Sequence, residues 1–182
     1  MRSLGIDPGN EGGAVLLAPM GEGWRALAAW HWRPCSRQKR RHWTLTTVCE
    51  GWDLEQIEPG LGTVGRRIQL VAADRGQAYW LTVEGLWGRG RTLERLSWYA
   101  GLVAAAVEAG CEGSADDVRP QANLWRKELL GLAPGTSAGD AESEALLWSV
   151  THVRGLGRLS TIGHVAEAAA IAAWRYQWEA RR

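Results

Sequence analysis

Three short apolar runs, SLGID, GAVLLA and RALAAWHW, open the chain, separated by Gly and Pro punctuation at spacings short enough for hairpins. They read as three adjacent antiparallel strands. Later the pattern changes: GTVGRRIQLVAADRG has helical spacing, with Val64, Ile68, Val71 and Ala72 on one face, and AYWLTVEGLW is again a strand. TLERLSWYAGLVAAAVEAG follows as a helix from a cap at Thr92 to a terminator at Gly110, DVRP as a short strand, and QANLWRKELLGL as a helix or helical turn. After the glycine-rich loop GLAPGTSAG come two more helices, DAESEALLWSVTH and GHVAEAAAIAAWRYQWEARR. Hairpins followed by helix–strand alternation predict an α/β class with a mixed sheet, its later strands joined in parallel through helical crossovers. Such crossovers bring successive strand ends to one sheet edge, where sites gather.

Between Arg33 and Gly62 periodicity fades and charges, Pro and Gly intrude, so this stretch reads as a variable excursion with a weak helix near DLEQIE. The 182 residues are expected to form a single domain, large enough to bury a core. A formal net charge of +1 conceals an uneven distribution. No acid stands between Glu22 and Glu50, whereas Arg25, Arg33, Arg37, Lys39, Arg40 and Arg41 do, a local field suited to an anionic partner or to a solvated arm. Cys35, Cys49 and Cys111 are an odd number without metal-like spacing, so neither a disulfide framework nor a zinc cluster is indicated. With no long apolar stretch of the secretory or membrane-spanning kind, the expectation is a cytoplasmic protein with no membrane partner. Trp supplies 12 residues and Phe none, so indoles must serve as the large core aromatics.

Two carboxylates occupy matching places. Asp7 and Glu84 each end an apolar strand and each precede a glycine-rich turn, DPGNEGG and EGLWGRG. If the two strands are neighbours these anions converge, and converging anions repel unless a divalent cation lies between them. On the last helix, His164 and Glu167 are three residues apart and share a face within an Ala-rich stretch that allows close approach to a sheet. Together the four fit an oxygen-rich Mg²⁺ or Mn²⁺ site with one imidazole, of the kind used in two-metal phosphoryl chemistry. Each also has an ordinary reading: a turn cap for Asp7, a strand-end ion pair for Glu84, exposed first-turn residues for His164 and Glu167. A GIDPG start is compatible with sugar-kinase or actin-like ATPases too, but no Walker loop is present and no nucleotide cofactor is expected.

LGIDPGNEGGAV, TVEGLWGRGRT and GHVAEAAAIAAW, in this order, resemble the RuvC family of Holliday junction resolvases, as a phage-type or otherwise divergent member, over nearly the whole chain outside Arg33 to Gly62. The resemblance implies an RNase H-like fold with a mixed five-stranded sheet flanked by helices, in one nuclease domain over 1–182 with the excursion at about 33–62. It also implies a homodimer, two Mg²⁺ or Mn²⁺ ions, and paired nicks in a four-way DNA junction. Asp7 matches the first-strand aspartate, Glu84 the central-strand glutamate, and Glu167 the last acid, where the family's usual residue is Asp. His164 matches a position that is Asp in some members and His in others. Trp87, flanked by Arg89 and Arg91, matches an aromatic that stacks on a base at the junction, and a core Trp is its alternative. VRPQANLWRKELLG matches a segment carrying a basic residue near the scissile phosphate, which makes Arg126 or Lys127 the candidate. Asp140, Ala141, Glu142 and Glu144 stand where another basic residue is usual. The helix from Thr92 to Ala109, with Ala100, Gly101, Ala104, Ala105 and Ala106, resembles the dimer helix. The DNA-contacting set expected is Trp87, Arg89, Arg91, Arg126, Lys127, Lys39, Arg40 and Arg41. A nuclease for RNA or RNA–DNA hybrids, a junction binder without turnover and an ATPase-like regulator are the alternatives.

Overall fold

The computed structural model describes residues 1–35, 42–74, 79–85, 91–108 and 120–182, with the backbone alone for 91–97, 104 and 108. β1 (Arg2–Asp7), β2 (Gly12–Met20) and β3 (Gly23–Pro34) are consecutive antiparallel strands, as the hairpin spacing predicts. β4 (Trp43–Cys49) and β5 (Trp52–Glu58) extend that meander, followed by α1 (Leu61–Asp74), β6 (Tyr79–Val83) and α2 (Arg91–Glu108). α3 (Ala122–Leu130), α4 (Ala138–His152), the two-residue β7 (Val153–Arg154) and α5 (Gly163–Ala180) complete the order. The strands lie side by side as β5-β4-β3-β2-β1-β6, with β7 paired in parallel to the start of β3.

The expected mixed sheet is present, and it is larger than expected, seven strands instead of five. The two additional long or short pieces have clear physical origins. β5 carries Leu54 and Ile57 three residues apart, a helical interval, yet both are exposed, 44% and 58%, on opposite faces of an edge strand. Its backbone pairing with β4 holds it, from Trp43 opposite Glu58 to Cys49 opposite Trp52, so its side chains need no alternation. The weak helix near DLEQIE is therefore a strand. β7 is too short for any periodic signal. The DVRP strand falls mostly outside the described residues, but Gly85 donates its N–H to the Pro120 carbonyl at 2.8 Å and bridges Gln121 in parallel, so the sheet continues beyond β6 at that level.

Side-chain parity divides the sheet into two cores. Leu4, Ile6, Leu16, Trp30, Trp32, Leu81 and Val83 pack with Val64 and Ile68 of α1 and Val103 and Val107 of α2. The opposite face, through Val15, Leu17, Ala29 and Val48, meets Val165, Ala168, Ala169 and Ala172 of α5. Two strand glycines let α5 lie close: a Cβ on Gly5 would stand 2.1 Å from the Ala168 carbonyl oxygen, and one on Gly13 would stand 2.5 Å from that of His164. Helix backbone thus rests directly on strand backbone. A third cluster, Trp125, Ala170, Ile171 and Trp174, ties α3 to the outer side of α5.

Candidate functional site

Parity and register bring the acids together. On β1, Leu4 and Ile6 face α1 and α2, so Gly5 and Asp7 face α5. β6 runs parallel to β1 with Ile6 beside Val83, and the next residue, Glu84, donates its N–H to the Ile6 carbonyl at 3.0 Å. Glu84 therefore leaves the sheet at the same edge as Asp7 and, by the same alternation, on the side of α5. His164 and Glu167, in the first turns of α5, arrive from above because Gly13 admits the helix backbone.

The loop after Asp7 is held in place by indoles. Trp32 Nε1 donates to the Gly9 carbonyl at 3.1 Å and Trp43 Nε1 to that of Asn10 at 2.9 Å. Both tryptophans are buried, so the turn that fixes Asp7 is anchored to β3 and β4 instead of being left to solvent.

Donor atoms of Asp7, His164 and Glu167 all lie within 4.8 Å of one another. His164 Nδ1 is 2.6 Å from Asp7 Oδ2, and Arg126 Nη2 is 2.5 Å from Glu167 Oε1 and 3.9 Å from Glu84 Oε1. Glu84 is thus joined to the cluster through a guanidinium and is held from behind by Trp125 Nε1, which donates to its Oε1 at 3.2 Å. Asp7 and Glu167 are buried, whereas the His164 side chain is 40% exposed and marks the open side of the pocket.

The electrostatics are those of crowded anions. Burial, then the neighbouring charges of Asp7 and Glu167, pushes the Glu84 carboxyl well above the ordinary carboxylate range. Glu167 is raised for the same reasons, burial first and Asp7 second, against the opposing pull of Arg126. The hydrogen bond to Asp7 lifts His164 to about 9. An oxygen-rich set with one imidazole, partly desolvated, could hold a divalent cation in donor chemistry as well as in spacing.

Of the residues singled out in the sequence, Asp7, Glu84, His164, Glu167 and Arg126 gather here. Lys127, one residue further round α3, is exposed and lies outside this contact network. Trp87, Arg89, Lys39, Arg40 and Arg41 lie outside the described residues, as does the side chain of Arg91. Three neighbours went unread. Trp125 is fully buried behind Glu84, and its signal is hard to separate from eleven other tryptophans. His31 on β3 is buried and its Nε2 meets Glu11 Oε1 at 3.0 Å. Burial lowers the His31 pKa in opposition to Glu11. Glu11 follows Asp7 by four residues, a second acid in DPGNEGG that could have been found by treating the whole turn as part of the site.

No protein-family model and no curated protein matches the sequence. Among solved structures, Thermus thermophilus RuvC in complex with a Holliday junction substrate aligns with a TM-score of 0.63 at 20% identity, over 98% of this chain and 94% of that one. A second Thermus thermophilus RuvC structure aligns with a TM-score of 0.57 at 17% identity, over 98% and 96%. The described residues share the fold of these RuvC structures, a mixed sheet flanked by helices.

Proposed function

We propose that this chain is a divergent RuvC-type endonuclease: a metal-dependent enzyme of one nuclease domain that hydrolyses phosphodiesters in four-way or otherwise branched DNA. The observation carrying this reading is the gathering of Asp7, His164 and Glu167 within 4.8 Å, beside Glu84, at the ends of parallel strands in a fold shared with RuvC. Three convergent carboxylates are costly to bury, and a bound cation offsets that cost more fully than Arg126 and His164 alone.

Asp7, Glu84, Glu167 and His164 would hold two Mg²⁺ or Mn²⁺ ions, which supply an activated water and offset negative charge on the scissile phosphate. Asp7 is the hub, because it lies in the strand beside Glu84 and also contacts His164. The Asp7 contact at Nδ1 orients the His164 ring, which would have to be neutral to hold an ion. Arg126 brings a permanent cation to the same pocket, suited to a phosphate that approaches from the open side of His164. Glu167 replaces a shorter acid, and the glycines under α5 fix how far the helix can shift to absorb its extra methylene.

A homodimer agrees with this reading, since symmetric incisions call for a twofold axis. Among the described residues, α2 turns Ala100, Val103 and Val107 inward and Trp98, Gly101 and Ala105 outward, a face that a second copy would cover. Among the described residues no helix is long and apolar enough to cross a membrane, and the protein is proposed to work in the cytoplasm.

The test is a substrate panel. Purified protein with Mg²⁺ or Mn²⁺ is expected to nick a synthetic four-way junction at paired positions, and to cut linear duplex and RNA–DNA hybrid far more slowly. Preferential hybrid cleavage would move the activity to RNA, and tight junction binding without nicking across both metals would make the chain a binding protein.

A further inference from the structure

Arg126 makes an unusual pairing for a guanidinium. One nitrogen, Nη2, serves both Glu167 and Glu84, at 2.5 and 3.9 Å, while Nε is buried without a hydrogen-bond partner. A fork-shaped group normally engages a carboxylate through two parallel N–H bonds. Here one edge goes unused, and a buried unpaired donor weakens the hold. The side chain is 21% exposed, and its guanidinium lies over the Trp125 ring at 5.2 Å. Trp125 itself is fully buried among Ala170, Ile171 and Trp174 and cannot follow.

The oxygens that Arg126 engages are Glu167 Oε1 and Glu84 Oε1, which belong to the proposed metal ligands. A divalent ion on those oxygens would stand within a few ångströms of the guanidinium, where like charges repel. We propose that Arg126 is a built-in competitor for the metal site, holding Glu84 and Glu167 until a divalent ion takes their oxygens and turns the guanidinium toward the open side. Trp125 is the positioning residue of this device: its N–H keeps Glu84 aimed into the pocket whichever cation is present. The inference rests on the reading of Asp7, Glu84, His164 and Glu167 as metal ligands. It adds that ion capture and delivery of a phosphate-binding cation are one exchange.

Mn²⁺ binding to the full chain without DNA, followed by the paramagnetic resonance of free Mn²⁺, tests it. Arg126→Gln is expected to bind Mn²⁺ about tenfold tighter than wild type, or more, and Arg126→Lys to stay near wild type because a competing charge remains. Equal or weaker binding by Arg126→Gln overturns the proposal. Should that variant fail to fold, the wild type alone decides: the side-chain Nε–H resonance of Arg126 is expected to shift as Mg²⁺ is titrated, and a resonance unmoved at saturation overturns it. A wild type lacking any saturable Mn²⁺ site that Asp7→Asn removes would instead sink the metal reading itself, and this inference with it.

Discussion

At the scale of single residues, the acid pocket ties stability to pH. His164 is raised from 6.5 to about 9 by its bond to Asp7, so the stabilisation from that pair is fully present below pH 6.5 and is lost as pH climbs through 9. Glu84 and Glu167 are raised above the ordinary glutamate value of 4.5, so the folded state holds their protons more tightly than the unfolded chain does. Stability then falls as pH rises past 4.5. All three contributions have the same sign. Thermal unfolding in a chelator is therefore expected to show a melting temperature that declines from about pH 5 to pH 9, with added Mg²⁺ or Mn²⁺ stabilising more strongly at the alkaline end, where the ligands ionise. A melting temperature that climbs over that range in chelator would show that the carboxylates are not crowded. The members of the acid pocket were legible because each has a positional signature: Asp7 and Glu84 close apolar strands, and His164 and Glu167 sit three apart on one helix. Trp125 and His31 carry no such signature. Their roles come from burial against groups far away in the chain, Glu84 and Glu11, and no local pattern encodes that.

At the scale of elements, the decisive contact is α5 on β1 and β2. Strand glycines usually weaken a sheet, yet Gly5 and Gly13 are where the helix backbone touches it. A Cβ on Gly5 would overlap the Ala168 carbonyl oxygen, and backbone on both sides leaves no flexible side chain to give way. Gly5→Ala is expected to cost more than about 3 kcal/mol in chemical denaturation, above the usual overpacking range, and to displace His164 and Glu167 with the helix. Gly139→Ala, whose Cβ would meet open space at the start of α4, is expected to change stability by less than about 1 kcal/mol. Equal effects at the two glycines would mean that α5 does not rest on the sheet as described. The Ala-rich run of α5 signalled close approach, so this contact was readable in the sequence. β4 and β5 were not: Thr44, Thr46 and Thr47 interrupt the apolar run of one, and the other is an edge strand with exposed side chains on both faces. Sheet edges are specified by backbone pairing, which leaves little trace in residue type.

For the whole molecule, topology does most of the work that no single motif could. A meander followed by a parallel crossover places β1 centrally, between β2 and β6, and so makes its last residue the neighbour of everything that ends at that edge. The hairpin-then-crossover order carried that much, which is why the mixed sheet was legible while its full width was not. The arrangement concentrates anionic groups at one point of a chain whose formal net charge is only +1. On the proposed reading, divalent ions held there turn that point into one that attracts a phosphodiester. Removing the charge at the hub should therefore separate holding DNA from cutting it. The most direct measurement is junction nicking and junction binding by wild type and Asp7→Asn, side by side in Mg²⁺ and in Mn²⁺. The account predicts that Asp7→Asn loses nicking by at least about a hundredfold, a barrier increase of about 2.7 kcal/mol, while binding the junction as tightly as wild type or more so. An Asp7→Asn protein that nicks as fast as wild type would contradict it.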